Sequence, residues 1–340
     1  MNPNAFRNDY GRFAHPRILK ALLEHGEEPN APYGLDEHSF AASSLLRETF
    51  GAKDAEVALF AGGTVTNMVF ISHCLKPYEA VIAATTAHIA VHETGAVEAS
   101  GHKVIVVPGI DGKITVEGIE KALATHTDEH MVLPRMVYIS NATETGTIYT
   151  KKELQSIYDC CKKHSLYLYI DGARLGVALT SDDNDLKPEE IGSLCDAFYV
   201  GGGKNGLGIG EALLIVNPEL KPYLRYHIKN RGAMLAKGYV LGIEFEEGFR
   251  DGLYFDLARK ANAFAKKVGD ILQKSGYAPA PFSTNQVFAT FPSALSERLI
   301  SRFGCERWAV EGDQVTIRFV TSYATEEEDL LFLEKELSLQ

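Results

Sequence analysis

A lysine follows three consecutive glycines at the end of a hydrophobic run, in residues 199–206. Glycines let the backbone turn tightly and let a ligand come close. If the run is a strand, Lys204 lies at its carboxyl end, where open α/β sheets bind ligands. A P-loop would need glycine at Phe198 and serine or threonine at Asn205, and residues 206–210 do not match G-x-G-x-x-G. Taken alone, the segment is equally compatible with a glycine-rich turn that carries a surface lysine.

An aspartate ends another hydrophobic run upstream of this lysine. Residues 166–170 predict a strand, and Asp171 stands at its end. A strand-end aspartate often only makes a turn. Here, however, one further predicted strand and then Lys204 follow it. A lysine that binds pyridoxal 5'-phosphate and a carboxylate that pairs with its protonated pyridine nitrogen are the groups that this cofactor requires. The pair therefore predicts a pyridoxal-phosphate enzyme.

A glycine-rich turn near the N-terminus could hold the phosphate of such a cofactor. Gly62, Gly63 and Thr64 follow the predicted strand 57–60 and precede a predicted helix through residues 68–75. Backbone N–H groups at a helix N-terminus bind phosphate well. A plain helix cap is the alternative interpretation.

Two histidines four residues apart follow the next predicted strand. His88 and His92 would share a helical face, which suits zinc, but the metalloprotease motif needs glutamate at Ile89. We therefore predict no metal site. A core or capping histidine is one alternative. An aromatic ring stacks on the cofactor in pyridoxal-phosphate enzymes, and His88 at a helix start is suited to that role.

Several short segments then occur in a characteristic order along nearly the whole chain. They are Phe6-Arg7-Asn8-Asp9, Tyr33-Gly34 with Asp36, Gly62-Gly63-Thr64 with Asn67, Ala87-His88-Ile89 with Glu93-x-Gly95-Ala96, Asp171-Gly172-Ala173-Arg174, Lys204, and residues 315–321. In this order the chain resembles the threonine aldolases and the related β-eliminating lyases. The resemblance implies a pyridoxal-phosphate enzyme of fold type I, the aspartate-aminotransferase type.

The resemblance also implies a role for each matching residue. Lys204 would carry the cofactor and Asp171 would pair with its ring nitrogen, while Gly62, Gly63 and Thr64 would hold the phosphate and His88 would stack on the ring. Arg174 would contact both the cofactor and the substrate carboxylate, and Arg318 would bind that carboxylate through its planar guanidinium.

Three further positions are implied at the edge of the site or at a subunit interface. Asn8 would lie beside the substrate carboxylate. Tyr33 would reach the active site of a neighbouring subunit, which implies a homodimer or homotetramer with shared sites. Arg231 and Lys237 match the region where the family supplies a cationic contact across the interface.

The chain departs from the family pattern at three places, which indicates a divergent branch. Gly203 stands where other members have serine before the lysine, and Thr143 stands where they have a histidine near the substrate hydroxyl. The loop 205–211 after the lysine also differs. These departures leave the cofactor prediction intact and bear on which substrate bond is broken.

Three functions follow from these residues, in order of preference. The first is retro-aldol cleavage of β-hydroxy-α-amino acids, with L-threonine and L-allo-threonine giving glycine and acetaldehyde at low specificity. His88, or a water that it holds, would then take the β-hydroxyl proton. The second is β-elimination to ammonia and a keto acid, with Lys204 removing the Cα proton. The third is a catalytically dead scaffold of the same fold.

The elements that position these residues alternate through the first two thirds of the chain. Predicted strands at residues 57–60, 80–84, 104–107, 136–139, 166–170, 197–200 and 212–216 are separated mostly by amphipathic stretches such as 151–163. Asp36 is a suitable cap for a helix that runs to Phe50, with Gly51 as its stop. Runs that are apolar on both faces and joined by helices indicate a mostly parallel sheet covered on both sides.

The pattern changes to an α+β order near Gly248. A long amphipathic helix at 253–274 precedes strands at 286–291 and 315–320 and helices near 295–302 and 326–337. We therefore expect an N-terminal segment of residues 1–35, a large cofactor-binding domain of 36–248 and a small α+β domain of 249–340.

Composition restricts the partners. The formal net charge of −11, without a run of lysine or arginine, argues against nucleic acid and against anionic membranes. The five cysteines include no C-x-x-C pair, and the polar start is no signal peptide. No apolar run is long enough to span a membrane. We therefore expect a cytoplasmic enzyme with a small-molecule amino-acid substrate.

Overall fold

The structure, a computed structural model, describes residues 3–339. Residues 1, 2 and 340, at the outer ends of the predicted N-terminal segment and small domain, lie outside the described residues. The strands are β1 (Glu56–Phe60), β2 (Glu79–Ala84), β3 (Val104–Val107), β4 (Leu133–Ser140), β5 (Tyr167–Asp171), β6 (Ala197–Gly201), β7 (Glu211–Ile215), β8 (Gln286–Pro292), β9 (Glu306–Glu311) and β10 (Gln314–Val320). The α-helices are α1 (Pro16–His25), α2 (Glu37–Thr49), α3 (Gly63–Cys74), α4 (His88–Val91), α5 (Ala96–Ala99), α6 (Val116–Thr125), α7 (Lys151–Lys163), α8 (Leu175–Leu179), α9 (Leu224–Asn230), α10 (Tyr239–Phe249), α11 (Leu253–Lys274), α12 (Ser293–Phe303) and α13 (Glu327–Leu337).

The larger sheet has the strand order β1-β7-β6-β5-β4-β2-β3. Its strands run parallel except β7, which is antiparallel to both β6 and β1. Every residue of β2, β6 and β7 is buried, as expected for strands covered by helices on both faces. The predicted mostly parallel, doubly covered sheet is confirmed. Because only β7 is reversed, the carboxyl ends of the other strands share one edge of the sheet with the start of β7.

The smaller sheet is antiparallel, in the order β8-β10-β9. Strand β10 has one buried face, on which Val315, Ile317 and Phe319 lie in a separate hydrophobic core. Phe6 of the N-terminal segment joins that core. The domain limits at 35 and 248 stay predictions.

The long helix α11 connects the two cores. Its first turns pack into the core of the large sheet through Leu253, Tyr254 and Leu257, whereas Phe264 and Leu272 pack into the small core. The small sheet is therefore attached to the large one through a continuous, buried helix.

The capping residues of two predicted helices, α2 and α7, lie where the sequence indicated the helix ends. Asp36 caps α2 by accepting the backbone N–H of Ser39 at 2.8 Å, and Gly51 adopts φ 61° just beyond the helix end. At α7, Thr150 and Glu153 form a reciprocal capping box. Both helices confirm the sequence prediction.

Strand β9 was not predicted from the sequence. Five of its six residues are exposed, so the run has no buried face that could produce an alternating pattern. It pairs with β10, at the edge of the small sheet.

Among the residues that the structure describes, no helix combines the length and the apolar character that crossing a membrane requires.

Candidate active site

A cleft lies at the edge of the large sheet where the parallel strands end. It encloses about 360 Å³. The predicted site residues that line it are Gly63, Thr64, His88, Asp171, Arg174 and Lys204. They come from the ends of β1, β2, β5 and β6 and from the turns that follow them. The topology of the sheet thus brings together residues that are far apart in sequence.

Lys204 follows a turn that only glycine can form at this packing. A Cβ on Gly201 would lie 2.2 Å from the carbonyl oxygen of Ala173, and one on Gly202 would lie 2.8 Å from that of Gly210. The Gly202 and Gly203 N–H groups both donate to the Gly210 carbonyl, at 3.0 and 3.2 Å. Close backbone contact therefore fixes where the lysine side chain begins.

The electrostatic surroundings favour the neutral form of the Lys204 amine. Burial lowers the pKa of Lys204, and the nearby charge of Arg174 lowers it further. Nucleophilic lysines are activated in this way, because only the unprotonated amine attacks a carbonyl carbon.

Asp171 is held in place by hydrogen bonds from three directions. Its Oδ2 accepts from the hydroxyl of Tyr138 and, at 3.1 Å, from Nδ2 of Asn67. Its Oδ1 accepts from the backbone N–H of Ala173 at 3.0 Å. A buried carboxylate with these donors keeps its orientation toward the cleft, which a partner for a pyridinium nitrogen requires.

His88 is connected to Asp171 through a buried network. Its Nδ1 lies 2.7 Å from Oε1 of Glu93, and Asn67 Nδ2 donates to the same oxygen at 2.8 Å. Tyr169 donates its hydroxyl to Asn67 Oδ1 at 2.9 Å, which fixes the amide orientation. The network fixes the orientation of the His88 ring. Because Nδ1 faces Glu93, Nε2 is the ring nitrogen that points away from it.

The predicted phosphate cradle lies at the N-terminus of α3. Gly62 is the N-cap residue, and no side chain caps the helix start. A Cβ placed on Gly62 would meet no atom within 4 Å, whereas one on Gly63 would lie 3.0 Å from the Tyr199 hydroxyl. A helix start without a side-chain cap, with open space beside Gly62, fits a phosphate. With Lys204 and Asp171, these residues fit the expected cofactor.

Arg174 is already paired with a carboxylate. Its Nε and Nη2 donate to the two oxygens of Asp9 at 2.7 and 3.1 Å, and Asp9 is buried while Arg174 is mostly covered. Asn285 also donates to Asp9, at 2.9 Å. Although burial opposes ionisation, the charges of Arg174 and Lys204 hold the pKa of Asp9 below its ordinary value.

The neighbour of Asp9 does not enter the cleft. Asn8, predicted to lie beside the substrate carboxylate, accepts the backbone N–H of Tyr10 at 3.1 Å and lines a separate surface pocket. Asp9 of the same motif approaches Arg174 instead. The motif alone does not specify which of these adjacent side chains approaches Arg174.

Arg318 approaches the cleft from the small domain without lining it. Its Nη1 donates to Gln286 at 3.1 Å, its Nη2 contacts Glu306, and its guanidinium lies 5.3 Å from the ring of Trp308. Its Nε is buried and has no hydrogen-bond partner among the described residues. Burial, followed by the charge of Arg174, lowers the pKa of Arg318.

Glu211 is a cleft residue that sequence reasoning missed. Its carboxyl lines the cleft, and Oε2 is buried without a partner among the described residues. Burial raises the pKa of Glu211 to about 8. The residue begins β7, the one reversed strand of the large sheet, so a search for polar residues at strand ends does not find it.

Thr143 occupies the position at which other family members carry a histidine near the substrate hydroxyl. Thr143 points its hydroxyl toward Thr147, at 2.8 Å, and does not line the cleft. The adjacent Glu144 lines it and accepts the backbone N–H of His88 at 2.9 Å. Burial raises the pKa of Glu144 above its ordinary value.

Although Thr143 is not a histidine, His92 places a second imidazole near His88. His92 lines the cleft, with its ring centroid 5.5 Å from that of His88. His92 is the C-cap residue of α4, and its backbone N–H donates to the carbonyl of His88 at 2.9 Å, which places the two side chains one helical turn apart. Burial and then the charge of His88 lower the pKa of His92, which favours the neutral imidazole.

The residues expected at a subunit interface lie away from this chain's own cleft. Tyr33 has a φ of 63°, and the amine of Lys229 lies 4.7 Å from its ring centroid. It lines a different, smaller pocket. Arg231 and Lys237 are exposed.

The chain is similar in sequence to proteins of one family. Residues 18–328 match the family model described as beta-eliminating lyase. A low specificity L-threonine aldolase of Pseudomonas aeruginosa is 29% identical over 330 residues, which cover 95% of this chain and 94% of that protein. Another, from a Pseudomonas species, is 30% identical over 309 residues, covering 89% of this chain and 87% of that protein.

Solved structures are similar over the whole chain. A threonine aldolase of Leishmania major superimposes with a TM-score of 0.97 at 43% identity, and covers 99% of both chains. An aspartate aminotransferase of Thermus thermophilus superimposes with a TM-score of 0.72 at 16% identity, covering 99% of this chain and 91% of the other. The second likeness concerns the fold alone, and it agrees with the predicted fold type I.

Proposed function

The chain belongs to the beta-eliminating lyase family, and we propose that it is a threonine aldolase that cleaves β-hydroxy-α-amino acids to glycine and an aldehyde. The observation that carries this proposal is the convergence of Lys204, Asp171, His88 and the uncapped start of α3 in one cleft. L-Threonine and L-allo-threonine are the proposed substrates, because the relatives are described as low specificity L-threonine aldolases.

Pyridoxal 5'-phosphate is the cofactor, and when bound it supplies the electron sink that makes cleavage at Cα possible. Lys204 would hold it covalently, and Gly62, Gly63 and Thr64 would hold its phosphate at the start of α3. Asp171, with the donors that fix it, would keep the ring nitrogen protonated.

Arg318 is the arginine that we propose to bind the substrate carboxylate. Arg174 is committed to the buried carboxylate of Asp9, whereas Arg318 has a buried Nε–H that no group in residues 3–339 accepts. The carboxylate that Arg318 contacts within the chain, that of Glu306, is half exposed and can be displaced by a substrate carboxylate. A bidentate guanidinium fixes a plane, and the orientation of the carboxylate determines which bond at Cα is aligned for cleavage. Arg174 then acts as a positioning residue that anchors Asp9.

Cleavage of the Cα–Cβ bond requires a base for the β-hydroxyl proton. We assign this task to the imidazole pair His88 and His92, directly or through a water that they hold. His88 is oriented by Glu93, and the lowered pKa of His92 leaves a neutral nitrogen available near neutral pH. The pair would replace the histidine that other members carry at the position of Thr143.

The function is tested by identifying the products from a small set of amino acids. Purified, cofactor-loaded protein is given L-threonine, L-allo-threonine, L-phenylserine or L-tryptophan, and carbonyl products and ammonia are measured. We expect acetaldehyde from the first two, benzaldehyde from phenylserine, and glycine in equal amount. Ammonia with a keto acid, and no glycine, would identify a β-eliminating lyase. No product from any substrate would favour the scaffold alternative.

We also propose an oligomeric state and a cellular location for this protein. A homodimer or homotetramer with shared active sites is supported by the exposed position of Tyr33, away from its own cleft. A cytoplasmic location is supported by the cysteines, which are all free thiols in the structure.

A further inference from the structure

Outside the cleft, two histidines and a glutamate converge where α1 approaches α2. His25 ends α1, Glu28 lies in the turn that follows, and His38 lies in the first turn of α2. Glu28 bridges the two rings, with its Oε1 2.6 Å from His25 Nδ1 and its Oε2 2.9 Å from His38 Nε2. The three residues each offer a ligand atom, and these atoms all lie within 4.8 Å of one another.

The histidine of α2 is oriented as metal-binding histidines are. His38 Nδ1 lies 2.6 Å from Oε2 of Glu246 on α10, opposite the nitrogen that faces Glu28. A carboxylate on the far ring nitrogen of a metal ligand fixes its tautomer and its direction. If Nδ1–H donates to Glu246, then Nε2 presents a lone pair toward the carboxylate of Glu28, and two acceptors at 2.9 Å require a cation or a proton between them.

We propose that His25, Glu28 and His38 bind one divalent transition-metal ion, of which zinc fits the donors best, with Glu246 as the orienting carboxylate. Two imidazoles and one carboxylate are an established ligand set for zinc. Glu28 is half exposed, which leaves a fourth position open to water. None of these residues lines the cleft, so the site is structural and separate from the chemistry.

The ion would fasten the N-terminal segment to the large domain. It would tie α1 to α2 and, through Glu246, to α10. Preceding α1, the backbone N–H of His15 donates to the carbonyl of Gly206 in the loop after Lys204, at 2.8 Å, and Asp9 reaches Arg174. Binding to the folded chain would therefore stabilise the segment that closes one side of the active site.

A second cluster of potential ligands provides the control. Glu120, Cys160 and His164 also lie within reach of one ion. Burial and then the charge of Glu120 raise the pKa of the Cys160 thiol, which disfavours the thiolate that binds metal. Cobalt distinguishes the two clusters, because only a cysteine ligand gives a thiolate-to-metal charge-transfer band.

The test is metal binding by the cofactor-loaded protein. After equilibrium dialysis against micromolar Zn²⁺, we expect one zinc per chain in the wild type and in the control His164→Gln, and a cobalt difference spectrum without a thiolate band. Glu246→Gln should weaken zinc binding about 10- to 100-fold, and His38→Gln should weaken it more. Zinc should raise the Tm of the wild type and leave that of His38→Gln unchanged.

The proposal is overturned if the wild type binds no more zinc than His38→Gln, or if His164→Gln removes the bound ion. Should His38→Gln fail to fold, Glu28→Gln replaces it, since Glu28 lies in an exposed turn and its substitution leaves the helices intact. Equal zinc contents in Glu28→Gln and the wild type would then be the contradicting result.

Discussion

At the scale of single residues, the two arginines differ in how much of the guanidinium is free. Arg174 uses two nitrogens on the buried Asp9, whereas Arg318 keeps a buried Nε–H without a partner among the described residues. An unpaired buried donor is costly until a ligand satisfies it. The difference makes Arg318 the residue whose chemistry should matter most for substrate recognition.

We predict that Arg318→Lys keeps the fold and the bound cofactor but loses most of kcat/KM for threonine. Losing a charge-assisted bidentate contact costs roughly 2–4 kcal/mol, or about 30- to 1000-fold in rate. Steady-state kinetics measures the loss, and the visible spectrum of the cofactor should not change. Arg307→Lys is the matched control, because Arg307 lies on the neighbouring strand β9 and pairs at the surface with Glu297 of α12. Equal kinetics for Arg318→Lys and wild type would show that another group holds the carboxylate.

The residues that the sequence indicated were those at ends of parallel strands. Lys204, Asp171 and His88 each follow a hydrophobic run, and such runs end at one edge of a parallel sheet. Glu211 could not be predicted in this way, because it begins the reversed β7. The contact of Asp9 with Arg174 could not be predicted either, because the motif does not specify which of its side chains approaches the arginine.

At the scale of elements, α10 holds the loop that follows Lys204. Glu244 of α10 is fully buried and accepts the backbone N–H of Ile209 at 2.9 Å. Its Oε1 has no partner among the described residues, and burial raises the pKa of Glu244 to about 7. The helix thus supports the lysine loop with a carboxyl group that is partly protonated at neutral pH.

This raised pKa predicts how stability depends on pH. Its value of about 7 in the folded chain exceeds the ordinary 4.5, so folding favours the protonated form. The stabilisation is complete below pH 4.5 and is lost as pH rises through 7, by roughly 3 kcal/mol in total. The Tm of the wild type should therefore fall relative to that of Glu244→Gln between pH 5 and pH 8.

The control for this comparison is Glu24→Gln on α1, where the glutamate is exposed. Its Tm should follow the wild type at every pH. Parallel curves for wild type and Glu244→Gln would mean that the buried carboxyl does not titrate in this range.

Among the predicted helices, those with one buried side have accurate limits, whereas β9, which lacks a buried face, was not predicted. The limits of α7 and α11 agree with the amphipathic pattern, because each helix buries one side. In contrast, β9 is exposed along most of its length, and α4 is too short to show a period. Both depend on tertiary contacts that a local pattern does not contain.

At the scale of the whole molecule, Tyr33 lies at the surface of the chain. It does not line the active-site cleft of the same chain. The Tyr33 side chain is 38% exposed. This separation is what the proposed sharing of active sites between subunits requires, and it agrees with a closed, symmetric oligomer.

We predict that active protein sediments as a dimer or tetramer and that its sites are shared. Mixing Tyr33→Ala with Lys204→Ala, each with little activity, should produce hybrid oligomers in which one site regains both residues. The mixture should therefore be more active than either variant alone, after a brief dissociation and reassociation. An active monomer in sedimentation, or a mixture no better than its components, would refute shared sites.

If Lys204 binds the cofactor in this cleft, chemical trapping should identify the bond. Borohydride reduction of the cofactor-loaded protein, followed by peptide mapping, should place a single pyridoxyl label on the peptide that contains Lys204. Lys204→Ala should lose that label, while Lys237→Ala should keep it. A label on any lysine other than 204, or undiminished labelling of Lys204→Ala, would show that another residue binds the cofactor.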